Sequence, residues 1–201
     1  MRIKGDDMRK VLFVILVIVA VAAAQEVDPP RDSMDFFFGY GAWLPGLLNE
    51  DNQMEVGSVF LIGAETPMAQ GDQFRLSAGG GFCNSDNIQY DGITSIMLSL
   101  GYRKYPFYRP YAGARGLEPF IGVTAGGIVV WDSVADDVTV VDSKSTGGAM
   151  LGAEMGARIK IDEDMFFDIT VAGDWAPIGA ELAGETEKDL SGIRIQGSLI
   201  F

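Results

Sequence analysis

Past residue 24 the chain is built of short stretches in which apolar residues alternate with small or polar ones. A period of two is the mark of a β-strand, whose successive side chains point to opposite faces. Eight such stretches stand out: Asp35–Leu44, Glu55–Ala64, Gln73–Phe82, Ile93–Arg103, Pro119–Trp131, Gly148–Ile161, Met165–Trp175 and Ser191–Phe201. Each ends in turn chemistry, and no segment keeps a helical period over a useful length. Seven of the eight prolines fall outside the stretches, and Pro119 opens one. Proline has no N–H to give to a ladder, so this placement agrees with the division. The 26 glycines fall largely inside the stretches. In a narrow closed sheet they leave room for neighbouring side chains.

The connections alternate in character. Pro45–Met54, Cys83–Gly92, Asp132–Gly147 and Ala176–Leu190 are polar and mostly acidic, whereas Glu65–Asp72 and Asp162–Asp164 are short. Lys104–Glu118 breaks the rule by its length. Even strand number, long connections at one end and short turns at the other are the layout of an outer-membrane barrel. The expected fold is therefore all-β: an eight-stranded antiparallel up-and-down transmembrane barrel over residues 35–201. A soluble β-sandwich or lipocalin-like carrier is the alternative fold.

The N-terminus fits that destination. A basic stretch precedes the apolar run Val11–Ala24, which is 14 residues long and ends in three alanines. A spanning helix needs about 20 residues, so the run is too short for an anchor and has the form of a cleaved signal peptide. Cleavage is expected after Ala24, leaving 25–34 as a periplasmic segment. Asp6 and Asp7 are out of place in a leader, and a start at Met8 gives a cleaner one.

On this fold the charged faces point inward, because a charge on the lipid face costs about 2–4 kcal/mol at the midplane. The predicted lumen network is Arg75, Arg103, Glu154, Arg158, Lys160, Asp168, Asp174 and Arg194. Opposed charges in so narrow a space would pair and fill it. A three-residue turn at Asp162–Asp164 pairs Ile161 with Met165 and sets Arg158 across from Asp168. The fifth strand turns Gly122, Thr124 and Gly126 inward. The second strand has Val59 and Leu61 on one side and Phe60 and Ile62 on the other, so its faces stay unassigned. Tyr102, Tyr105, Phe107, Tyr108 and Tyr111 at one end, with Trp131 and Trp175 at the other, form two expected aromatic girdles. Cys83 reads as a small residue at a strand end.

Charge and composition narrow the function. The chain carries −13, and residues 1–24 hold net +2, which leaves −15 on the remainder. Nucleic-acid binding needs clustered Lys and Arg and is not expected. There is no histidine, which closes the usual general-base route of lipid-acting barrel enzymes and leaves only a carboxylate-based hydrolase. No catalytic residue, cofactor or metal is predicted. Asp132, Asp136, Asp137 and Asp142 in one connection, and Glu181, Glu185, Glu187 and Asp189 in another, supply oxygen ligands of the kind Ca²⁺ or Mg²⁺ takes, without a ligand motif. They read as solvated loop charges.

The stretch Gly101-Tyr102-Arg103-Lys104-Tyr105-Pro106, followed by Leu117-Glu118-Pro119-Phe120-Ile121-Gly122-Val123, resembles a pattern of small outer-membrane barrels of the OmpA/OmpX/OmpW type. The layout likeness covers residues 25–201, and the detailed one about 20 residues. The connection is longer here, and the fifth strand lacks the usual closing aromatic. The ending Ile193, Ile195, Leu199, Phe201 resembles the C-terminal signal by which the insertion machinery recognises such barrels. The resemblance implies bacterial outer-membrane localisation with both termini periplasmic. It implies lipid, lipopolysaccharide and the insertion machinery as partners, and a monomer. Members include structural barrels, adhesion factors and narrow channels for small apolar molecules. The expected role is a non-enzymatic, structural or surface-interacting barrel with a closed lumen; the alternative is a narrow channel.

Overall fold

Alternation becomes architecture through hydrogen-bonded pairing. The computed structural model describes residues 34–45, 55–67, 72–84, 90–106, 117–134, 145–162, 164–178, 180–182, 185–188 and 190–201. The predicted leader and most of 25–34 lie outside the described residues. The strands are β1 (Asp35–Pro45), β2 (Gly57–Pro67), β3 (Gln73–Asn84), β4 (Tyr90–Lys104), β5 (Leu117–Val134), β6 (Ser145–Asp162), β7 (Met165–Trp175), β8 (Ala180–Leu182), β9 (Glu185–Lys188) and β10 (Gly192–Ile200). Eight of them close a barrel in the order β1-β10-β7-β6-β5-β4-β3-β2, every pair antiparallel, while β8 and β9 form a separate two-stranded hairpin. That hairpin lies in a connection read from sequence as plain loop.

The register fixes the barrel's shape. Starting at Arg158 in β6, the paired residues run Asp168, Ser198, Gly39, Leu61, Gly79, Met97, Ile128 and back to β6 at Gly148. One circuit thus slips ten residues along the strand. With a rise of about 3.3 Å per residue and a strand spacing of about 4.8 Å, that slip gives a tilt of about 40° and a backbone radius of about 8 Å. Such a cylinder is just wide enough for its own side chains to fill.

Most predicted boundaries move by a few residues, and some moves matter. β2 runs to Pro67, so Glu65 belongs to a strand and not to a turn. Pro45 and Pro67 are the last residues of β1 and β2, where a missing N–H is tolerated. β3 reaches Asn84 and takes in Cys83, and β5 reaches Val134 and takes in Asp132. The β6–β7 turn also differs. Met165 pairs with Asp162, and the register shifts between Lys160 and Asp162, so Ile161 is the extra residue. Below that irregularity Lys160 pairs with Phe166 and Arg158 with Asp168, the register expected from sequence.

The outer face is apolar. Phe36, Phe38 and Tyr40 of β1, Ile96, Leu98 and Leu100 of β4, and Ile121, Val123 and Val129 of β5 are all about half exposed. In water such a continuous belt would be far larger than a soluble monomer presents; hydrocarbon is the medium that covers it. The two-sided β2 is settled by the fold: Val59 and Leu61 are buried inside, and Phe60 and Ile62 face out.

Candidate functional site: the barrel lumen

The lumen has two chemically distinct halves. One lies toward the chain termini, where β1 begins and β10 ends. The other lies toward the longer connections and is called the loop end.

The terminal half holds the charges. Arg103 of β4, fully buried, donates from Nε to Glu154 Oε1 at 2.6 Å and from Nη1 to Asp168 Oδ2 at 2.6 Å. Arg158 of β6 donates from Nε to Asp168 Oδ1 at 2.8 Å and from Nη2 to Oδ2 at 2.9 Å. Asp168 therefore receives two guanidinium groups. Arg158 Nη2 also lies 2.6 Å from Glu65 Oε1. Nearer the middle, Arg194 of β10 grips Asp174 of β7 with both Nε and Nη2, the latter at 2.9 Å. Fork-to-carboxylate pairing of this kind is the strong form of a charged hydrogen bond. Ser77 and Ser99 add a buried hydroxyl pair at 2.7 Å.

Aromatic faces complete the packing. The Arg75 guanidinium lies 3.4 Å above the Phe37 ring, and that of Arg103 lies 4.1 Å from the centre of Phe120. Among the described residues no hydrogen bond reaches Arg75 Nη2; the ring face is its contact. Glycine makes the room. A Cβ at Gly122 would stand 2.9 Å from Glu154 Oε1, and one at Gly152 would strike Thr124 Oγ1 and stand 2.8 Å from Asp174 Oδ1.

The predicted network thus comes together in part. Arg103, Glu154, Arg158, Asp168, Arg194 and Asp174 form direct pairs, and Arg75 stacks beside them. Lys160 is on the inward side of β6 but only half-buried, two residues beyond Arg158 toward the barrel rim. Glu65 was missed. A signal was available: it shares strand parity with Val59 and Leu61, so one inward charge would have oriented β2. Tyr105 does not join the girdle that the sequence pattern suggests for it: it is buried, donates to Gln73 Oε1 at 2.9 Å and packs against Phe120. Parity with Arg103 turns it inward. Tyr102 remains on the outer side and donates to Asp72 at 2.5 Å. Phe107, Tyr108 and Tyr111 lie outside the described residues. Trp175 is exposed and Trp131 half-buried, both at the loop end.

The loop half is mostly apolar. Trp43, Val59, Met97, Ile128, Val130 and Met150 meet inside the wall, with Cys83 and Ile93 among them. Trp43 and Met97 are not among the lumen residues that the sequence pattern marks. Asp132 is buried in β5 rather than solvated in a loop. Of the other acidic loop residues, Asp136, Asp137, Asp142 and Asp189 lie outside the described residues, as do the side chains of Glu181, Glu185 and Glu187. Among the described residues no three potential metal ligands converge.

Gly122, Thr124 and Gly126 face inward, and the ladders on both sides of β5 run without interruption past them. Outside the same wall is an open apolar depression of about 640 Å³, floored by Ala125, Gly127 and Gly147 and edged by Leu98 and Leu100. At the terminal end β10 turns Ile195, Leu199 and Phe201 outward, with Ile193 on the same side. Phe201 lies one residue past the strand, yet its N–H and C=O both bond to Phe36 at 2.9 Å.

No protein-family model matches the sequence, and no curated protein matches it. Solved structures do. The outer membrane protein OprG of Pseudomonas aeruginosa superposes with a TM-score of 0.62 at 12% identity, covering 88% of this chain and 99% of that one. Neisserial surface protein A superposes with a TM-score of 0.58 at 9% identity, covering 83% of this chain and 94% of that one. At such identities the likeness is one of fold, and the fold of this chain is that of the small eight-stranded outer-membrane barrels.

Proposed function

We propose that the protein is a non-enzymatic component of the bacterial outer membrane, structural or surface-interacting, whose lumen is closed to solutes. The observation that carries the reading is the bonding of Arg103: a fully buried guanidinium held between Glu154 and Asp168, with Arg158 completing the cluster. In a cylinder of about 8 Å radius these stems leave no continuous file of water. A buried charge stays only where its partners stay, because losing one strands the other.

The rest of the reading follows from the belt and the ends. Residues 1–24 act as the signal peptide. The apolar belt takes membrane lipid, and the connections meet lipopolysaccharide. Both ends of the barrel-forming chain lie at one rim, which is the periplasmic side. Phe201, outward and tied to Phe36, is the residue the insertion machinery reads, and the barrel works as a monomer. The neighbours' names, a surface protein and an outer membrane protein, agree with an envelope role.

Single-channel recording of the purified chain in planar bilayers tests the closed lumen. Silence is expected; steady, well-defined openings would overturn it and favour a narrow channel. The membrane assignment has its own test. Deleting Phe201 should leave a processed chain that fails to reach the outer membrane, and normal outer-membrane levels of that variant would count against the assembly role.

A further inference from the structure

The two ends of the connection after β7, Ala176–Ile178 and Leu190, pack into the barrel mouth. Ala176, Ile178 and Leu190 are buried within the same apolar cluster as Trp43, Ile128 and Met150. The root of this segment is tied down. The Ala176 carbonyl accepts from the Ile178 N–H at 2.8 Å and from the Leu190 N–H at 3.1 Å, and the Ala176 N–H donates to Ser191 Oγ at 3.0 Å. Ile178 has a seat in the wall. A Cβ built on Gly148 of β6 would stand 3.3 Å from Ile178 Cγ1, so the missing side chain there makes space for the isoleucine. Gly148 and Arg158 lie on the same strand ten residues apart, which is about 25 Å along the barrel axis at this tilt.

We propose that Ala176–Ile178 is a stopper: Ile178, seated on Gly148, seals the loop-end mouth independently of the ion pairs, so the lumen is shut twice in series. The inference rests on the closed-lumen reading and adds a second, chemically different seal. An apolar plug needs no partner to stay buried and repels water by its area alone. The ion pairs below it need each other. Damage to one seal leaves the other in place.

The chain carries a reporter for the test. Its one cysteine, Cys83, is buried in the same apolar cluster as Ile178. Labelling by a charged methanethiosulfonate should be slow in the unaltered chain and in Ile178→Leu. It should quicken by about tenfold or more in Ile178→Ser, which loses the apolar contact, and in Gly148→Val, which removes the seat. Only the heat-modifiable, folded fraction is scored. Cys83 that stays protected in both variants, or that reacts as fast in the unaltered chain, would overturn the stopper. In bilayers, Ile178→Ser and Arg158→Ala should each be silent and the double variant should leak. A leak from Arg158→Ala alone, or from Ile178→Ser alone, would overturn the series arrangement. Openings in the unaltered chain would instead overturn the closed-lumen reading beneath it.

Discussion

The two halves of the lumen fill the same cylinder by different means. Toward the termini, Arg103, Arg158 and Asp168 with Glu65 and Glu154 occupy the space as paired charges. Toward the loops, Trp43, Met97, Ile128 and Met150 occupy it as a hydrocarbon core. The first filling is directional: each group is worth keeping only while its partner is in place. The second is non-directional and tolerates exchange at constant volume. The familiar rule for membrane barrels, apolar outside and polar inside, holds in the terminal half and fails over most of the loop half. In the loop half most of the inner face is apolar as well, with Ser95 and Asp132 as buried exceptions. Lipid covers the outer face, and the side chains themselves cover the inner one.

That contrast makes predictions about substitution. The largest effect is expected in the charged half. Arg103→Met keeps the stem and removes the charge, leaving Glu154 and Asp168 short of a donor. Urea unfolding of the refolded barrel should show a loss of about 3–5 kcal/mol. A loss below about 1 kcal/mol would mean that water already reaches the cluster and supports it. A middle effect is expected where glycine gives carboxylates their room. Gly152→Ala places a methyl against Thr124 and Asp174, and overpacking of this kind costs about 1–3 kcal/mol in the same unfolding experiment. It should also disturb the Arg194–Asp174 pair, so combining it with Asp174→Asn should give less than the sum of the two losses. The smallest effect is expected in the apolar half. Met97→Leu conserves volume and chemistry and should cost less than about 1.5 kcal/mol. If Met97→Leu proved as damaging as Arg103→Met, the two fillings would not differ in the way described.

How the fold became readable from sequence follows from the same contrast. Where one face of a strand carried charge, parity was unambiguous. Arg75, Arg103, Asp168 and Arg194 each oriented a whole strand, and the structure places all four inside. β2 resisted because its central residues Val59, Phe60, Leu61 and Ile62 are apolar on both faces, and the charge that orients it, Glu65, had been assigned to a turn. Tyr105 was misplaced because an aromatic near a strand end suits either the headgroup level or the lumen rim. Only its parity with Arg103 separates the two. Asp132 reads as a loop residue because acidity suggests solvation, whereas β5 extends past it. The register between β6 and β7 was legible from Arg158 and Asp168 alone, while the extra residue at Ile161 was not, since a short acidic turn does not state where its ladder closes.

Alternation along the chain is enough to read the number of barrel strands, the order of connections and the side on which charges lie. Each of these is set by local alternation and by the cost of burying a charge against lipid. The ten-residue slip around the barrel, and with it which inward groups stand at the same height, comes from closure of the folded sheet. Contacts such as Arg103 with Asp168 and Arg158 with Glu65 join strands that are not sequence neighbours. No pairwise pattern along the chain encodes them; they exist because closure at this shear brings distant walls within reach of an arginine stem. The return of Ile178 into the mouth was hidden for the same reason. A lone isoleucine in a polar connection carries no period, and its place is defined by a gap left by glycine on another strand.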